Sequence, residues 1–304
     1  MKIEKLVLHI PVLKKEVLEL LDPRPDENFV DATVNGGGYA MSILEKTAPN
    51  GKILAFDLDE KVLEKFKEKA RTEGLEERIV PIPENFAEIQ GVVGEKSFGP
   101  VDGIVADLGF SSWQIEKSGR GFSFLRDEPL LMNFNESSSK TAEQIVNEAS
   151  EEEIIKILRE YGEERFAPSI ARHLVGARKI KKIQTTFELV EVIKKSMPFR
   201  FQRGKIHPAT RTFQALRIAV NDELGNLKKL LADGFEVLSD GGRFAIVSFH
   251  SLEDRIVKNF FREKKAEGQG EILTKKPITP GEAEISENPR SRSAKLRAIK
   301  KLKI

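Results

Sequence analysis

Val30–Leu44 reads VDATVNGGGYAMSIL: an apolar run that ends in an aspartate, then three glycines, then the start of a helical pattern. A strand that opens through glycines into a helix lets the backbone approach a ligand closely, with the amides of the helix start facing it. The run fits the dinucleotide fingerprint G-x-G-x-x-G only in part. Gly36 and Gly38 match, but Met41 stands at the sixth position. Asp57, at the end of the next apolar run, lies where an acidic residue accepts both hydroxyls of a ribose. Amides at a helix start suit a carboxylate as well as a phosphate. A dinucleotide, a carboxylate-bearing adenosyl compound such as S-adenosylmethionine, and a purely structural turn are all compatible with the glycines alone.

Outward from the glycines, strands and helices alternate. NFVDAT reads as a buried strand and YAMSILEKT as a helix stopped by the Pro49-Asn50-Gly51 turn. KILAFD is a second strand, followed by a helix, DEKVLEKFKEKART, that Asp59 can cap. RIVPI and VDGIVADLG are a third and a fourth strand. This alternation predicts a parallel sheet with helices on both faces. From about Ser112 to His207 only helix signals appear, among them the capping boxes Thr141 with Gln144 and Ser150 with Glu153. Gly162 and the pair Met197-Pro198 are helix stops in this block. The predicted organisation is a sheet domain over 1–111 and 208–304, with an inserted all-helical domain over 112–207. After the insertion, ATRTFQALRIAVNDELGNLKKLL reads as one amphipathic helix with Phe213, Leu216, Val220, Leu224, Leu227 and Leu231 as its core stripe. Thr210, Gln214, Arg217 and Asn221 form a polar stripe. The turn SDGG then leads into a fifth strand, RFAIVSF, and EILTKKPI and AKLRAIKKL are candidate edge strands.

The chain has 304 residues, 39% hydrophobic and 32% charged, which is enough to bury a sizeable core. It has no run near the roughly 20 apolar residues of a membrane span, and its start lacks the apolar region of a signal peptide. The absence of cysteine excludes disulfides and thiolate zinc sites and fits a cytoplasmic protein. Four scattered histidines show no ligand spacing, so no metal is expected. The net charge of +2 is unevenly spread. Glu136–Glu164 holds nine acids and three bases, whereas Arg165–Arg217 holds thirteen bases and two acids. The last sixteen residues, PRSRSAKLRAIKKLKI, hold seven bases and no acid. Two basic segments in a nearly neutral chain predict a polyanionic partner, nucleic acid.

Two further stretches bear on the ligand. The fourth strand ends at Asp107, and ligands of open parallel sheets sit outside the carboxyl ends of the strands, where the order reverses. After the third strand, PENFAEI offers Phe86 to stack on an adenine and Asn85 to orient the loop. The chain then carries HIPVL at His9, DLGFSSWQ at Asp107, RGFSF at Arg120, YGEERFA at Tyr161, ATRTFQALRIAVNDEL at Ala209, SFHSLEDRIVK at Ser248 and NPRSRSAKLR at Asn288. With these runs in this order over almost its whole length, it resembles the bacterial small-subunit (16S) rRNA cytosine-N4 methyltransferase family, called RsmH or MraW. The resemblance implies a Rossmann-like S-adenosylmethionine-dependent fold with a helical insertion. It implies methylation of the exocyclic amine of one cytosine in the decoding centre. By motif, the cofactor contacts are Gly37, Gly38, Tyr39, Asp57, Phe86, Asp107 and Gln114. The implied partner is small-subunit rRNA or the assembled small ribosomal subunit, with no membrane and an oligomeric state left open.

Asp107 is the candidate catalytic residue, positioning the cofactor or accepting from the target amine, and His250 is a second candidate. Ser248, His250 and Asp254 lie close enough to suggest a hydrolase triad, but a strand-end S-x-H does not aim both side chains at one nucleophilic point. Lining the target-base side and capping the following helix are the two readings of His250, Ser251 and Asp254. The chain also departs from the family pattern. Tyr39 replaces a histidine and Asn35 a glycine. PLLMNFN (Pro129–Asn135) stands where the family has P-L-D-M-R-M-D, so Leu131, Asn133 and Asn135 replace two aspartates and an arginine. Two alternatives to an active rRNA methyltransferase follow. One is a catalytically weak ribosome-assembly or RNA-binding factor that keeps the cofactor pocket, and the other is a methyltransferase for a different substrate.

Overall fold

The computed structural model of the chain describes residues 11–109, 118–135, 138–202, 204 and 206–303. It divides into two compact units, Met1–Phe110 with Leu224–Ile304, and Ser111–Glu223. The first unit holds the strands β1 (Phe29–Asp31), β2 (Ile53–Phe56), β3 (Ile79–Ile82), β4 (Val101–Asp107), β5 (Leu238–Ser248), β6 (Gly270–Ile272) and β7 (Lys295–Lys301). The helices are α1 (Lys14–Leu21), α2 (Gly38–Lys46), α3 (Glu60–Thr72), α4 (Ile89–Glu95), α5 (Ala142–Glu148), α6 (Glu151–Gly162) and α7 (Ala167–Arg178). They continue with α8 (Thr186–Lys195), α9 (Phe199–Gln202), α10 (Thr210–Asn221), α11 (Glu223–Val237) and α12 (Ser251–Ala266).

The strands form one sheet in the order β3-β2-β1-β4-β5-β7-β6. Neighbours from β3 to β5 are parallel, and β7 runs antiparallel to both β5 and β6. The order reverses between β1 and β4, which opens a crevice at their carboxyl ends. Alternate residues of each strand bury on opposite faces. Ile53, Ala55, Val105, Ala245 and Val247 join one core with helices α1, α2 and α3, while Leu54, Phe56, Ile104, Ala106, Phe244 and Ile246 join a second core. A strand covered on both faces has no polar side, which is why these strands read as continuous apolar runs. The α/β Rossmann-like reading holds.

Two expectations about the carboxyl-terminal third are corrected. AKLRAIKKL is an interior strand, since β7 lies between β5 and β6, and of the two expected edge strands β6 alone stands at an edge. Leu296, Arg297, Ala298 and Ile299 are all buried. Several bases of this segment hold the fold together. Arg297 Nε donates to Asp254 at 2.6 Å, with Lys295 3.4 Å from the same carboxylate. Lys301 Nζ donates to the carbonyls of Phe235, Glu236 and Leu238 at the end of α11, where a helix exposes acceptors and favours a cation. SDGG is also not a separate turn. It lies within β5, where the register against β4 shifts between Val101 and Gly103 and Gly241 takes a positive φ of 84°.

In the helical unit the side chains around Leu158, Ile170, Leu189, Phe213 and Leu216 form a core of their own. The predicted capping boxes at Thr141 and Ser150 are present, and Thr185 with Glu188 makes a third. Gly162 ends α6 where a Cβ would stand 2.7 Å from the carbonyl oxygen of Arg211, so α10 packs backbone to backbone against it. The long helix expected from Ala209 onward is two helices. Asp222 adopts a left-handed conformation, φ 48° and ψ 41°, one of the few that an aspartate tolerates. Arg217 clamps the break through a two-pronged pair with Glu223 at 2.7 and 2.8 Å. The stripe therefore divides: Phe213, Leu216 and Val220 join the helical core, and Leu227 and Leu231 the sheet core. By compactness α10 belongs with the helical unit, which runs to Glu223.

Candidate functional site

Three aspartates stand at adjacent strand ends. Asp31 closes β1, Asp107 closes β4, and Asp57 follows β2. Hydrogen bonds between strands fix their relative positions. Ala32 N–H donates to Val105 O at 2.8 Å, Val34 N–H to Phe56 O at 3.0 Å, and Asp107 N–H to Thr33 Oγ1 at 2.6 Å. The glycine loop runs over these ends. Asn35, in the left-handed region at φ 51°, sends its N–H to Asp57 Oδ2 at 3.2 Å. That conformation is the reason glycine or asparagine suits the position. Asp57 Oδ1 accepts from Asp59 N–H at 2.9 Å, and Asp59 caps α3 through Lys61 N–H at 3.0 Å.

Gly37 takes φ 72° as it enters α2, and a Cβ there would run into the ring of Phe66. A Cβ at Gly38 would lie 2.7 Å from Pro11. Packing within the protein therefore demands both glycines, and their contribution to a ligand is the backbone of the helix start. Tyr39 behaves differently from a ligand side chain: it is 3% exposed, and its hydroxyl donates to Val12 O. Phe86 follows β3 and packs half-buried against the second core, in a turn held by Asn85 Oδ1 accepting from Ala87 N–H at 2.9 Å. Gln114 lies outside the described residues.

Sequence reasoning did not single out Asp31 as a candidate. It is fully buried; Oδ1 accepts from Thr33 N–H at 3.0 Å, and Oδ2 has no hydrogen-bond partner among the described residues. Burial raises its carboxyl to about 7, the amides of Thr33 and Ala40 oppose this, and the charges of Asp107 and Asp57 add to it. Burial likewise raises Asp57 to about 6, against the amides of Asp59 and Asn35. A cluster of carboxylates repels a pyrophosphate and attracts a cation. An orphaned buried acceptor also calls for a donor. S-adenosylmethionine carries an ammonium, a sulfonium and a ribose, and these residues fit it. They fit a dinucleotide poorly. The signal was available in the sequence: an acidic residue at the end of the strand before the glycines.

His250 occupies the other end of the reading. It is the N-cap of α12, with Nδ1 accepting from Glu253 N–H at 3.4 Å. Glu253 in turn accepts from the N–H groups of Phe249 and His250, at 2.8 and 3.3 Å, and its Oε1 lies 3.2 Å from His250 Nε2. Of the two readings of SFHSLEDR, the structure displays helix capping, and Asp254 is committed to Arg297 and Lys295. PLLMNFN lies in the helical unit. Arg120, 5% exposed, donates from Nη1 to the carbonyls of Asn133 and Phe134 at 3.0 and 2.9 Å, and it has no carboxylate partner among the described residues. Asn133 is itself 4% exposed. No helix among the described residues is long and apolar enough to cross a membrane.

Residues 6–302 match the model of the MraW methylase family. Curated relatives over nearly the full length carry the name ribosomal RNA small subunit methyltransferase H. The Geobacter sulfurreducens protein is 46% identical over 310 residues, covering 97% of this chain and 99% of its own. The Heliobacterium modesticaldum protein is 44% identical over 312 residues, covering 97% and 99%. The Persephonella marina protein is 46% identical over 297 residues, covering 98% and 100%.

Proposed function

The chain belongs to the MraW methylase family, and on that premise we propose that it is an S-adenosylmethionine-dependent methyltransferase acting on the exocyclic N4 amine of a cytosine in 16S rRNA, within the decoding centre. The match over residues 6–302 carries this reading, and the acidic strand ends support its cofactor.

S-adenosylmethionine supplies, when bound, a methyl group on a positively charged sulfonium. Asp57 would take the ribose hydroxyls, Asp31 would face the ammonium, and Phe86 would cover the adenine. The backbone at Gly37 and Gly38 would receive the carboxylate at the start of α2. The lone pair of a cytosine amine is delocalised into the ring, so alignment supplies most of the rate. Asp107, buried at the end of β4, is the group for holding the cofactor or accepting from the amine. His250 starts α12 as its N-cap and remains the second candidate for the target-base side. The base has to leave its stack to reach these groups.

The test is direct. The protein, isotopically labelled S-adenosylmethionine and small ribosomal subunits are incubated, and the rRNA is digested to nucleosides. Label in N4-methylcytidine is expected, together with loss of that nucleoside from rRNA of cells lacking the gene. Cofactor binding without any transfer to rRNA would overturn the assignment.

A further inference from the structure

The helical unit carries a cavity of about 260 Å³ with aromatic and cationic walls. Phe166, at the entry to α7, and Phe201 of α9 stand with ring centroids 5.1 Å apart. The guanidinium of Arg165 lies over both rings, 4.7 and 4.2 Å from their centroids, and that of Arg200 lies 4.8 Å from the Phe201 centroid. Arg211 completes the cationic lining. Arg165, Arg200 and Arg211 are exposed, and none has a carboxylate at ion-pair distance among the described residues. The acid in the lining, Glu164, is 5% exposed and accepts from the amide of Phe166 at 2.9 Å. His207, also in the lining, stacks on Phe124 at 4.4 Å, and its Nδ1 accepts from Ala209 N–H.

Three arginines without ion-paired carboxylates among the described residues, beside two phenylalanines tilted 53° to one another, form an arrangement with a definite chemical complement. A guanidinium laid on a ring is held flat, so its edge remains to donate to a phosphate while the neighbouring aromatic surface accepts a base. Single-stranded RNA is recognised in this way, by unstacked bases laid on aromatic and arginine planes. The volume, just under the roughly 300–1,000 Å³ of drug-sized ligand sites, suits an occupant of about one nucleotide. We propose that this cavity is a single-nucleotide subsite for single-stranded RNA. The Arg165–Phe166–Phe201 cluster receives the base, and Arg200 and Arg211 receive flanking phosphates. The proposal rests on the rRNA reading above.

Fluorescence anisotropy of the full-length protein with a labelled single-stranded RNA, and with a double-stranded RNA of equal length, tests the subsite. Arg165→Ala and Phe201→Leu are each expected to weaken single-strand binding by about 5- to 100-fold, the range for losing one stacked base. Duplex binding and cofactor binding should be unchanged. Arg165→Lys, which keeps the charge but not the plane, should restore only part of the loss. Full restoration by lysine, equal losses on duplex, or no loss at all would each overturn the proposal. Crosslinking of a thiouridine-containing oligonucleotide to the unsubstituted protein needs no variant to fold. Crosslinks are expected in peptides carrying Phe166 or Phe201, and crosslinks only elsewhere refute the subsite. Methylation of small subunits is measured alongside. If it proceeds and Arg165→Ala binds RNA normally, the subsite alone falls. If the unsubstituted protein neither methylates nor binds RNA, the underlying reading falls with it.

Discussion

At Asp31, burial and two neighbouring carboxylates hold the carboxyl at about 7, against an ordinary value of 3.8. A raised carboxyl binds its proton more tightly in the folded chain. Its contribution to stability is therefore complete below about pH 4 and is lost as pH rises through 7. Without cofactor, the protein should lose stability between about pH 4 and 7, by on the order of 4 kcal/mol from this group. Asp31→Asn cannot titrate, so its stability relative to the unsubstituted chain should increase over the same interval, as thermal melts would record. Cofactor affinity should move the other way, strengthening through pH 7 because the ionised form attracts a cation, and Asp31→Asn should abolish that rise. Parallel stability profiles of the two proteins would remove Asp31 from the account. Asn133 allows a second single-residue test. Asn133→Arg would bring a guanidinium beside buried Arg120, which already donates to the Asn133 carbonyl. A like charge buried without a partner should destabilise by about 3–5 kcal/mol in chemical denaturation. Adding Leu131→Asp and Asn135→Asp should recover most of this loss. A single substitution without effect would mean the stretch was never a charge network.

Among the elements, β7 and α12 depend on one another. Asp254 on α12 joins Arg297 and Lys295 on β7, with the Asp254 and Arg297 side chains 14% and 10% exposed. Burial pushes the Asp254 carboxyl up, but the hydrogen bond and charge of Arg297, with Lys295, outweigh this and hold it below the ordinary range. Asp254→Asn should therefore lower stability by about 3 kcal/mol, because it leaves a buried guanidinium uncompensated. The double change Asp254→Leu with Arg297→Met should be more stable than the single one in denaturant titrations. If both are equally unstable, packing rather than charge joins these elements. The strand itself was legible in the sequence, but its place was not. AKLRAIKKL alternates charged and apolar residues as an edge strand does, and nothing local reveals that Asp254, forty-three residues earlier, neutralises Arg297. The same limit hid the break at Asp222, where the apolar stripe runs on unbroken through a left-handed residue. The first four strands and the capping boxes were legible because their signals are local: continuous apolar runs, and an acceptor three residues before its amide.

Over the whole molecule, the two basic segments have separate fates. Lys295, Arg297 and Lys301 of the carboxyl-terminal segment are engaged within the sheet unit. Deleting residues 289–304 would remove an interior strand, so that deletion reports on folding and not on RNA. The site was legible to a similar degree. Gly37, Gly38 and Asp57 stand where the strand and glycine pattern put them; the position of Asp31 at the strand end was equally legible, but its burial and raised carboxyl come from the assembled sheet. The helical unit offers a polyanionic partner other cations, since its lysines at the end of α7 face solvent. Lys179 and Lys182 are exposed and have no acidic partner among the described residues, whereas Lys181 pairs with Glu188. Binding of RNA by such cations releases counterions, with a slope of log affinity on log salt of about 0.7 per neutralised phosphate for single strands. Replacing Lys179 and Lys182 together by glutamine should flatten that slope by about 1.4. Replacing Lys181 alone should change it less, because its charge is already matched. Cofactor affinity, which we propose Asp31 and Asp57 of the other unit set, should stay constant in both variants. An unchanged slope in the double variant would place the RNA contacts elsewhere, whereas a loss of cofactor affinity would show that the substitutions had disturbed the fold.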